Sequence, residues 1–308
     1  MQTIILPGGL RVTRIVMGSN FESDPSSYRL LDQYLAGGGC CFDTARLYAD
    51  GRSEENLGAW MKLRGNRQEV VISTKGCHPP VTNMRHSRLS GADILGDLDA
   101  SLTALRTDYI DLYWLHRDDP ALPVGPIMDT LNGAVRAGKI RALGASNWTA
   151  ARIREANEYA ARAGLSGFVA SQIQWSLAGS DRKRCGDATL VVMNEEEYDW
   201  YRQNQFPVFA FTPMAHGYFQ KKAAGQPLSE KLAGRFESAE NEARLERLRQ
   251  LAARKGAPIG TAALSYLLHR RLPGAVVAGA RTPGQLAESI AADSFPLTPE
   301  ECDWLERG

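Results

Sequence analysis

Four polar side chains stand at or just after the ends of three short apolar stretches that are typical of buried strands. Asp43 ends one stretch and Tyr48 follows it by five residues, while Lys75 and His116 end the next two. In a barrel of parallel strands, reactive groups gather at the carboxyl ends of the strands. Each of the four alone is commonly structural, as packing, a solvated charge or a turn cap. On consecutive strand ends, however, we expect them to meet at one rim.

A tyrosine in this company can act as a proton donor. The phenol has an ordinary pKa of about 10, and a nearby lysine ammonium lowers that pKa because it stabilises the phenolate. Asp43 would keep Lys75 charged and oriented, and His116 can donate a hydrogen bond to a substrate carbonyl. Reduction of a carbonyl group needs a proton when hydride reaches the carbon, so Tyr48 is the expected general acid.

The elements that must position these residues are eight apolar strands that alternate with helical stretches. Parallel βαβ units of this kind predict an α/β fold, a (β/α)8 TIM barrel of one domain over residues 1–308. The competing doubly wound sheet lacks its Gly-x-Gly-x-x-Gly signature after the first strand. The predicted strands are Ile15–Gly18, Cys41–Asp43, Val70–Thr74, Tyr109–Leu115, Ile140–Gly144, Phe168–Ile173, Val208–Phe211 and Ala275–Ala278.

Other local patterns complete this outline. Pro7-Gly8-Gly9 predicts the turn of an N-terminal β-hairpin between Thr3–Leu6 and Arg11–Ile15, and extra helices are expected near the C-terminus. The helix-start signals are Ser53, Ser90, Asn147 or Thr149, and Thr298. One apolar helix face is predicted from Leu95, Leu98, Leu102 and Leu105.

Residue composition predicts the character of two connections between elements. The stretch from Pro213 to about Glu240 predicts a long loop that is either a lid or mobile. The short basic stretch Gly179–Asp187 predicts a solvated connector.

Composition favours a small molecule as the ligand. The chain has 36 basic and 35 acidic residues, a formal net charge of +1, so neither nucleic acid nor a membrane is expected as a partner. Five cysteines without a Cys-x-x-Cys spacing predict reduced thiols, no metal and a cytoplasmic location. The N-terminus lacks the pattern of a signal peptide. The oligomeric state stays open.

The ordered motifs resemble the aldo-keto reductase family, in its bacterial type with a short C-terminal tail. GCCFDTARLYADGRSEENLGAWMK resembles the family pattern Asp-Thr-Ala, then Tyr, then Gly-x-Ser-Glu-x-x-Leu-Gly. Ser-Thr-Lys75 and Asp-Leu-Tyr-Trp-Leu-His116 match the next two motifs in order. The resemblance covers almost the whole chain. It implies Tyr48 as general acid, Lys75 and Asp43 as its tuning pair and His116 as the group that orients the carbonyl.

The same resemblance implies a cofactor site without a glycine-rich fingerprint. Ser146, Asn147 and Gln172 would bind the nicotinamide carboxamide, and Phe211 would stack on the ring. Toward the C-terminus, Ala278 and Ser289 stand where the family usually has proline and asparagine, and the second change bears on the adenine contact. The other expected cofactor residues are Thr212, Met214, Gly217, Gly279, Arg281, Gln285 and Glu288. Arg281 and Gln285 would hold a 2′-phosphate, so NADPH is expected and NADH stays open.

The predicted function is therefore NADPH-dependent reduction of an aldehyde or ketone to an alcohol. One alternative is a non-catalytic, cofactor-sensing subunit on the same scaffold, and another is a Schiff-base lyase that uses Lys75. Substrate contacts are expected from Asn20, Phe21, His116 and Trp148, with Cys77-His78-Pro79-Pro80 also at the rim. A polar, sugar-like carbonyl is one candidate substrate and an apolar aldehyde is another.

Overall fold

Eight parallel strands close into a barrel, as the sequence predicts. The structure is a computed structural model that describes residues 1–18, 25–180 and 182–308. Around the barrel the strands follow the order of the chain, and the last strand pairs in parallel with the first. The strands are β3 (Ile15–Gly18), β4 (Cys41–Asp43), β5 (Val71–Gly76), β6 (Ile110–Leu115), β7 (Ile140–Ser146), β8 (Phe168–Gln174), β9 (Val208–Phe211) and β10 (Gly274–Gly279).

Several strands run one or two residues further than their apolar stretches. Lys75 lies inside β5 and Ser146 ends β7, because the ladder hydrogen bonds continue past the apolar residues. This extension carries polar side chains into the mouth of the barrel while their backbone groups remain paired.

The predicted hairpin is present as β1 (Thr3–Ile5) and β2 (Arg11–Thr13), which pair antiparallel. Leu6 and Val12, at 1% and 0% exposure, belong to the apolar cluster inside the barrel. That cluster also contains Trp114 and Phe209, whose rings meet edge to face. Since the hairpin directly precedes β3, it covers the amino-terminal end of the barrel and leaves the carboxyl end for the site.

Helices pack around the barrel and over the second, outer part of the core. Among the described residues, none of them has the length and apolar character needed to cross a membrane. They are α1 (Pro25–Ala36), α2 (Arg52–Arg64), α3 (Gly91–Leu105), α4 (Val124–Arg136), α5 (Ala150–Ala163), α6 (Glu195–Asn204), α7 (Tyr218–Ala223), α8 (Glu230–Phe236), α9 (Ala239–Lys255), α10 (Ile259–Leu268), α11 (Pro283–Ala291) and α12 (Pro299–Arg307).

The helix-start signals are correct in three cases out of four. Ser90, Thr149 and Thr298 accept hydrogen bonds from the first turns of α3, α5 and α12. Ser53 is not a cap: α2 begins after Gly51, and the Ser53 hydroxyl instead pairs with Thr44 at 2.9 Å. Because the Ser53 hydroxyl pairs with Thr44 in the neighbouring loop, this pairing competes with capping of α2 by Ser53.

The predicted loop from Pro213 to Glu240 is wrong, because α7 and α8 lie within it. Phe219 and Phe236 are buried and anchor these short helices to the core.

The basic connector Gly179–Asp187 also differs from the solvated connector that the sequence predicts. Its tip is exposed, but the Gly179 amide donates to Asn241 at 2.8 Å and Asp187 pairs with Arg117.

Candidate active site

A buried ion pair between Asp43 and Lys75 forms the centre of the site. These residues lie on neighbouring strands, and Lys75 is 1% exposed. Its ammonium donates to Asp43 Oδ2 and, at 2.8 Å, to the carbonyl of Thr44. Asp43 Oδ1 accepts from Ser73 at 2.7 Å and from Gln172 at 3.1 Å. Every polar atom of the pair therefore has a partner, which offsets the cost of burying the charges.

This pair keeps Lys75 protonated. Burial alone lowers the pKa of an ammonium, but the charge of Asp43 and the phenol of Tyr48 outweigh it, so the pKa of Lys75 is raised above its ordinary value. The ammonium lies 5.1 Å from the centroid of the Tyr48 ring. The arrangement therefore places a fixed positive charge beside the phenol.

Tyr48 is held by a strained turn between β4 and α2. Ala49 and Asp50 have left-handed backbone angles (φ 51° and 54°), which side chains other than glycine rarely adopt. Arg46 reaches back across this turn and donates to the buried carboxylate of Glu54 at 2.7 Å. At Gly51 (φ 88°), a Cβ would come within 1.2 Å of the Arg46 guanidinium, so only glycine leaves room for this contact.

The Arg46–Glu54 pair was not among the predicted site residues. The signal that could have found it is the Ser-Glu pair of the motif after Tyr48, in which Glu54 follows Arg46 by eight residues. Glu54 is 0% exposed and also accepts from Thr74 at 2.7 Å. Burial raises its pKa, against the opposing effect of these donors.

His116 lies against Tyr48 with ring centroids 5.9 Å apart and the rings edge to face. Its Nδ1 is buried and has no hydrogen-bond partner among the described residues. Burial lowers the pKa of His116 well below its usual value, and the cations Arg117 and Lys75 add to this. The imidazole is therefore neutral near pH 7, with Nε2 as the nitrogen that can face a substrate.

The three predicted carboxamide ligands meet at the mouth, next to the ion pair. Ser146, Asn147 and Gln172 are 1%, 3% and 1% exposed. The Asn147 amide is already engaged: it donates to Ser146 Oγ and to the carbonyl of His116, both at 3.2 Å, and accepts from Val191 at 3.2 Å. Ser146 keeps a free hydroxyl hydrogen, and Oε1 of Gln172 has no protein donor among the described residues.

The remaining cofactor candidates lie at the ends of β9 and β10 and on α11. Phe211 is half-buried at the end of β9, and Thr212, Met214 and Gly217 follow it in the turn that leads to α7. Glu288 and Met214 converge on Gly260, where a Cβ would come within 2.1 Å of the Glu288 carboxylate and 2.8 Å of the Met214 methyl group.

Gly279 ends β10 and is exposed, as is Arg281, whose backbone amide donates to the side chain of Gln285 at 2.8 Å. Ser289 is buried and donates to the Gln285 carbonyl at 3.0 Å.

Two of the predicted substrate residues, Asn20 and Phe21, lie outside the described residues. Trp148 is fully buried, and its indole N–H donates to the carbonyl of Arg117 at 3.2 Å. Its ring packs edge to face on Phe168. A direct substrate contact from Trp148 would require this packing to open.

Two cavities differ in their relation to the site. A small one of about 280 Å³ adjoins Lys75 and His78. A larger one of about 1300 Å³ runs along α6 and α12, away from the four catalytic candidates. Its arginines pair with its own carboxylates, as in the contacts of Arg270 with Asp303 and Glu306. The small cavity therefore touches the site through Lys75 and His78, whereas Tyr48 and His116 are not among its lining residues.

Comparisons with known proteins show the family to which the chain belongs. The family model described as "Aldo/keto reductase family" matches residues 14–307. A norsolorinic acid reductase of Emericella nidulans is 32% identical over 91% of this chain and 71% of its own length. An NADP(+)-type aryl-alcohol dehydrogenase of Phanerodontia chrysosporium is 33% identical over 58% of this chain and 52% of its own length.

The fold also matches a solved structure. A thermostable aldo-keto reductase, crystallised with the inhibitor epalrestat, superposes with a TM-score of 0.76 over 99% of both chains at 23% identity. With the family model spanning nearly the whole sequence, the chain belongs to the aldo/keto reductase family and is an oxidoreductase.

Proposed function

We propose that this protein uses NADPH to reduce an aldehyde or ketone to an alcohol, with Tyr48 as the general acid. The observation that carries the proposal is the buried, fully paired Lys75 ammonium beside the phenol ring of Tyr48. Buried ionisable groups with perturbed pKa values cluster at functional sites, and this ammonium lies beside a phenol that can give up a proton.

The residues divide the work of the reaction as follows. NADPH, when bound, supplies the hydride that reaches the carbonyl carbon. Tyr48 donates its hydroxyl proton to the carbonyl oxygen, and Lys75 stabilises the phenolate that remains. Asp43 holds the ammonium in place, and Nε2–H of the neutral His116 orients the carbonyl group.

The free groups at the mouth fit a nicotinamide carboxamide. Ser146 offers a hydroxyl donor and Gln172 an acceptor oxygen, which match the carbonyl and the amine of an amide. Asn147 serves differently in this proposal: because its amide is occupied by protein groups, it positions Ser146 and the end of β6.

Preference for NADPH is proposed from Arg281. An exposed guanidinium beside the start of α11 suits a phosphate, because the positive end of the helix dipole at the same place also favours an anion. The relative whose name specifies NADP(+) supports the same choice.

The test is the Tyr48→Phe variant, assayed with a panel of aldoses, ketoses, short aldehydes and quinones against NADPH and NADH. We expect wild-type turnover with NADPH and a loss of about 10²- to 10⁴-fold in kcat for the variant, the range for a general acid. NADPH binding, followed by quenching of protein fluorescence, should be unchanged. Near wild-type turnover of Tyr48→Phe would exclude it as the acid.

The Schiff-base alternative is disfavoured by the state of Lys75. An imine forms from a neutral amine, whereas here the pKa of Lys75 is raised and its hydrogens are donated to Asp43 and Thr44. Cofactor binding without turnover on any substrate of the panel would instead favour the cofactor-sensing subunit. We further propose that residues 1–308 act as one domain, and that the five cysteines are the reduced thiols of a cytoplasmic protein.

A further inference from the structure

His78 presents one free nitrogen beside the proposed active site. Its Nδ1 lies 2.6 Å from the carbonyl oxygen of Pro79, and a carbonyl can only accept, so Nδ1 carries the hydrogen. In the neutral ring Nε2 is then an acceptor. Among the described residues no group donates to Nε2, and the His78 side chain is only half-buried. Nε2 of His78 is therefore an acceptor that is available to a ligand.

The ring of His78 is fixed against the residue that would orient the carbonyl. The centroids of His78 and His116 are 4.7 Å apart and the rings meet edge to face, a favourable geometry for aromatic rings. The contact and the bond to Pro79 together restrain the half-buried side chain. Burial and the nearby Arg117 lower the pKa of His78, which keeps it an acceptor near pH 7.

The cavity next to His78 is small and polar. Its volume is about 280 Å³, just below the usual range for small-molecule sites. Beyond His78 and Lys75, its charged lining residues are Arg46, Asp50, Arg88 and Asp97. Arg46 and Arg88 already pair with Glu54 and Asp97, and neither Tyr48 nor His116 lines this cavity. It is therefore the acceptor nitrogen of His78 and its contact with His116, rather than the cavity wall, that bear on the substrate.

We propose that His78 determines substrate specificity by accepting a hydrogen bond from a hydroxyl group on the carbon next to the substrate carbonyl. When His116 binds the carbonyl oxygen, the hydroxyl on the neighbouring carbon lies beside the His116 ring, where His78 can reach it. The substrates are then small 2-hydroxy aldehydes or ketones. The inference rests on the proposed carbonyl reduction and names the substrate class for the same site.

The experiment compares matched substrate pairs that differ only by the hydroxyl on the carbon next to the carbonyl: lactaldehyde (2-hydroxypropanal) with propionaldehyde, and glycolaldehyde with acetaldehyde. We expect wild type to prefer the hydroxylated member. In His78→Phe, kcat/KM for the hydroxylated member should fall by roughly three- to tenfold, the worth of one hydrogen bond. The fall should appear in KM, while kcat/KM for the plain aldehyde is unchanged.

Two further variants separate recognition from structure. His78→Gln restores an acceptor oxygen and should return most of the preference. His86→Phe makes the same change at an exposed histidine of the same β5–α3 connection and should change nothing. NADPH binding and thermal unfolding of each variant establish that it is folded.

The outcomes are distinct. An unchanged preference in His78→Phe, or an equal loss for both members of a pair, would overturn the role of His78 while leaving carbonyl reduction intact. No turnover of any aldehyde by wild type would instead refute the proposed function, and this inference with it.

Discussion

His116 shows at the scale of a single residue how burial sets a protonation state. One ring nitrogen is enclosed without a partner, and two cations, Lys75 and Arg117, lie close enough to oppose a third charge. The sequence shows a histidine at a strand end, which on its own gives no protonation state. Only the surroundings make it a neutral donor.

This environment predicts a pH dependence of stability. Unfolded, His116 has an ordinary pKa of about 6.5, while folding lowers its pKa well below that value. Below about pH 6.5 the unfolded chain therefore binds a proton that the folded chain does not, so the free energy of unfolding falls as the pH falls. His116→Gln removes this contribution, and its stability should depend less on pH.

Urea unfolding of both proteins at about pH 6.5 and pH 5 measures the effect. Wild type should lose up to about 2 kcal/mol more than His116→Gln across this interval. The control is His86→Gln, at an exposed histidine, which should follow wild type. If wild type and His116→Gln lost the same free energy of unfolding, His116 would take up a proton in the folded state as readily as in the unfolded state. That result would contradict the prediction.

At the scale of elements, the turn between β4 and α2 decides where Tyr48 points. Its left-handed residues are stabilised by the Arg46 side chain, which bonds to Glu54 and crosses Gly51. The Arg46 amide also donates to the Lys75 carbonyl at 2.9 Å, which ties the turn to β5. The distance between phenol and ammonium thus depends on this clamp.

Replacing Arg46 with methionine should release the turn. We expect kcat to fall roughly ten- to hundredfold because the phenol loses its alignment, with a smaller change in KM. Stability should fall by about 1–3 kcal/mol, since Glu54 loses a partner in a buried position. Steady-state kinetics and denaturant unfolding test both effects.

Two companion variants make this result interpretable. Arg46→Lys keeps a cation for Glu54 and should recover part of kcat. Arg52→Met removes an exposed arginine that bonds to Ala49 in the same turn, and should leave kcat within about twofold of wild type. If Arg46→Met kept wild-type kcat while losing stability, the clamp would be structural only.

Helix α3 shows why a pattern of residue types does not settle packing. Leu95, Leu98, Leu102 and Leu105 have helical spacing, yet Leu95 is 40% exposed. The buried face instead includes Ile94, at 0%, beside Leu98 and Leu105. Two adjacent faces of the helix are apolar enough to pack, and the direction of the barrel wall selects one of them.

At the scale of the whole molecule, the proposed cofactor site spans β7, β8, β9, β10 and α11, which are distant in the chain. A ligand that contacts all of these elements can bind only the folded barrel, so it raises the free energy of unfolding. The increase is about 2.7 kcal/mol when the ligand concentration is a hundred times the dissociation constant. We therefore expect NADPH to raise the melting temperature.

Arg281→Ala should reduce that increase for NADPH and leave the increase for NADH unchanged. The reason is that the removed guanidinium would pair with the 2′-phosphate, which only NADPH carries. The control is Arg202→Ala, an exposed arginine on α6 that pairs with Asp199. Equal losses for both cofactors would place Arg281 elsewhere on the dinucleotide.

The sequence by itself determined the order of the elements and predicted which residues are reactive. Alternating apolar strands and helices specify the barrel because backbone hydrogen bonding and burial depend on local residue type. The prediction of the three strand-end residues Asp43, Lys75 and His116 followed from that alternation, since parallel strands all end at one rim.

Only the tertiary structure decided which groups are charged, which are free and what lies between them. The Asp43–Lys75 pair, the Arg46 clamp and the open nitrogen of His78 all depend on contacts between strands and loops far apart in the chain. Side-chain burial and pairing arise from three-dimensional proximity, which residue spacing along one strand does not encode. For the same reason the helices α7 and α8, whose buried aromatic residues pack on distant elements, were mistaken for a loop.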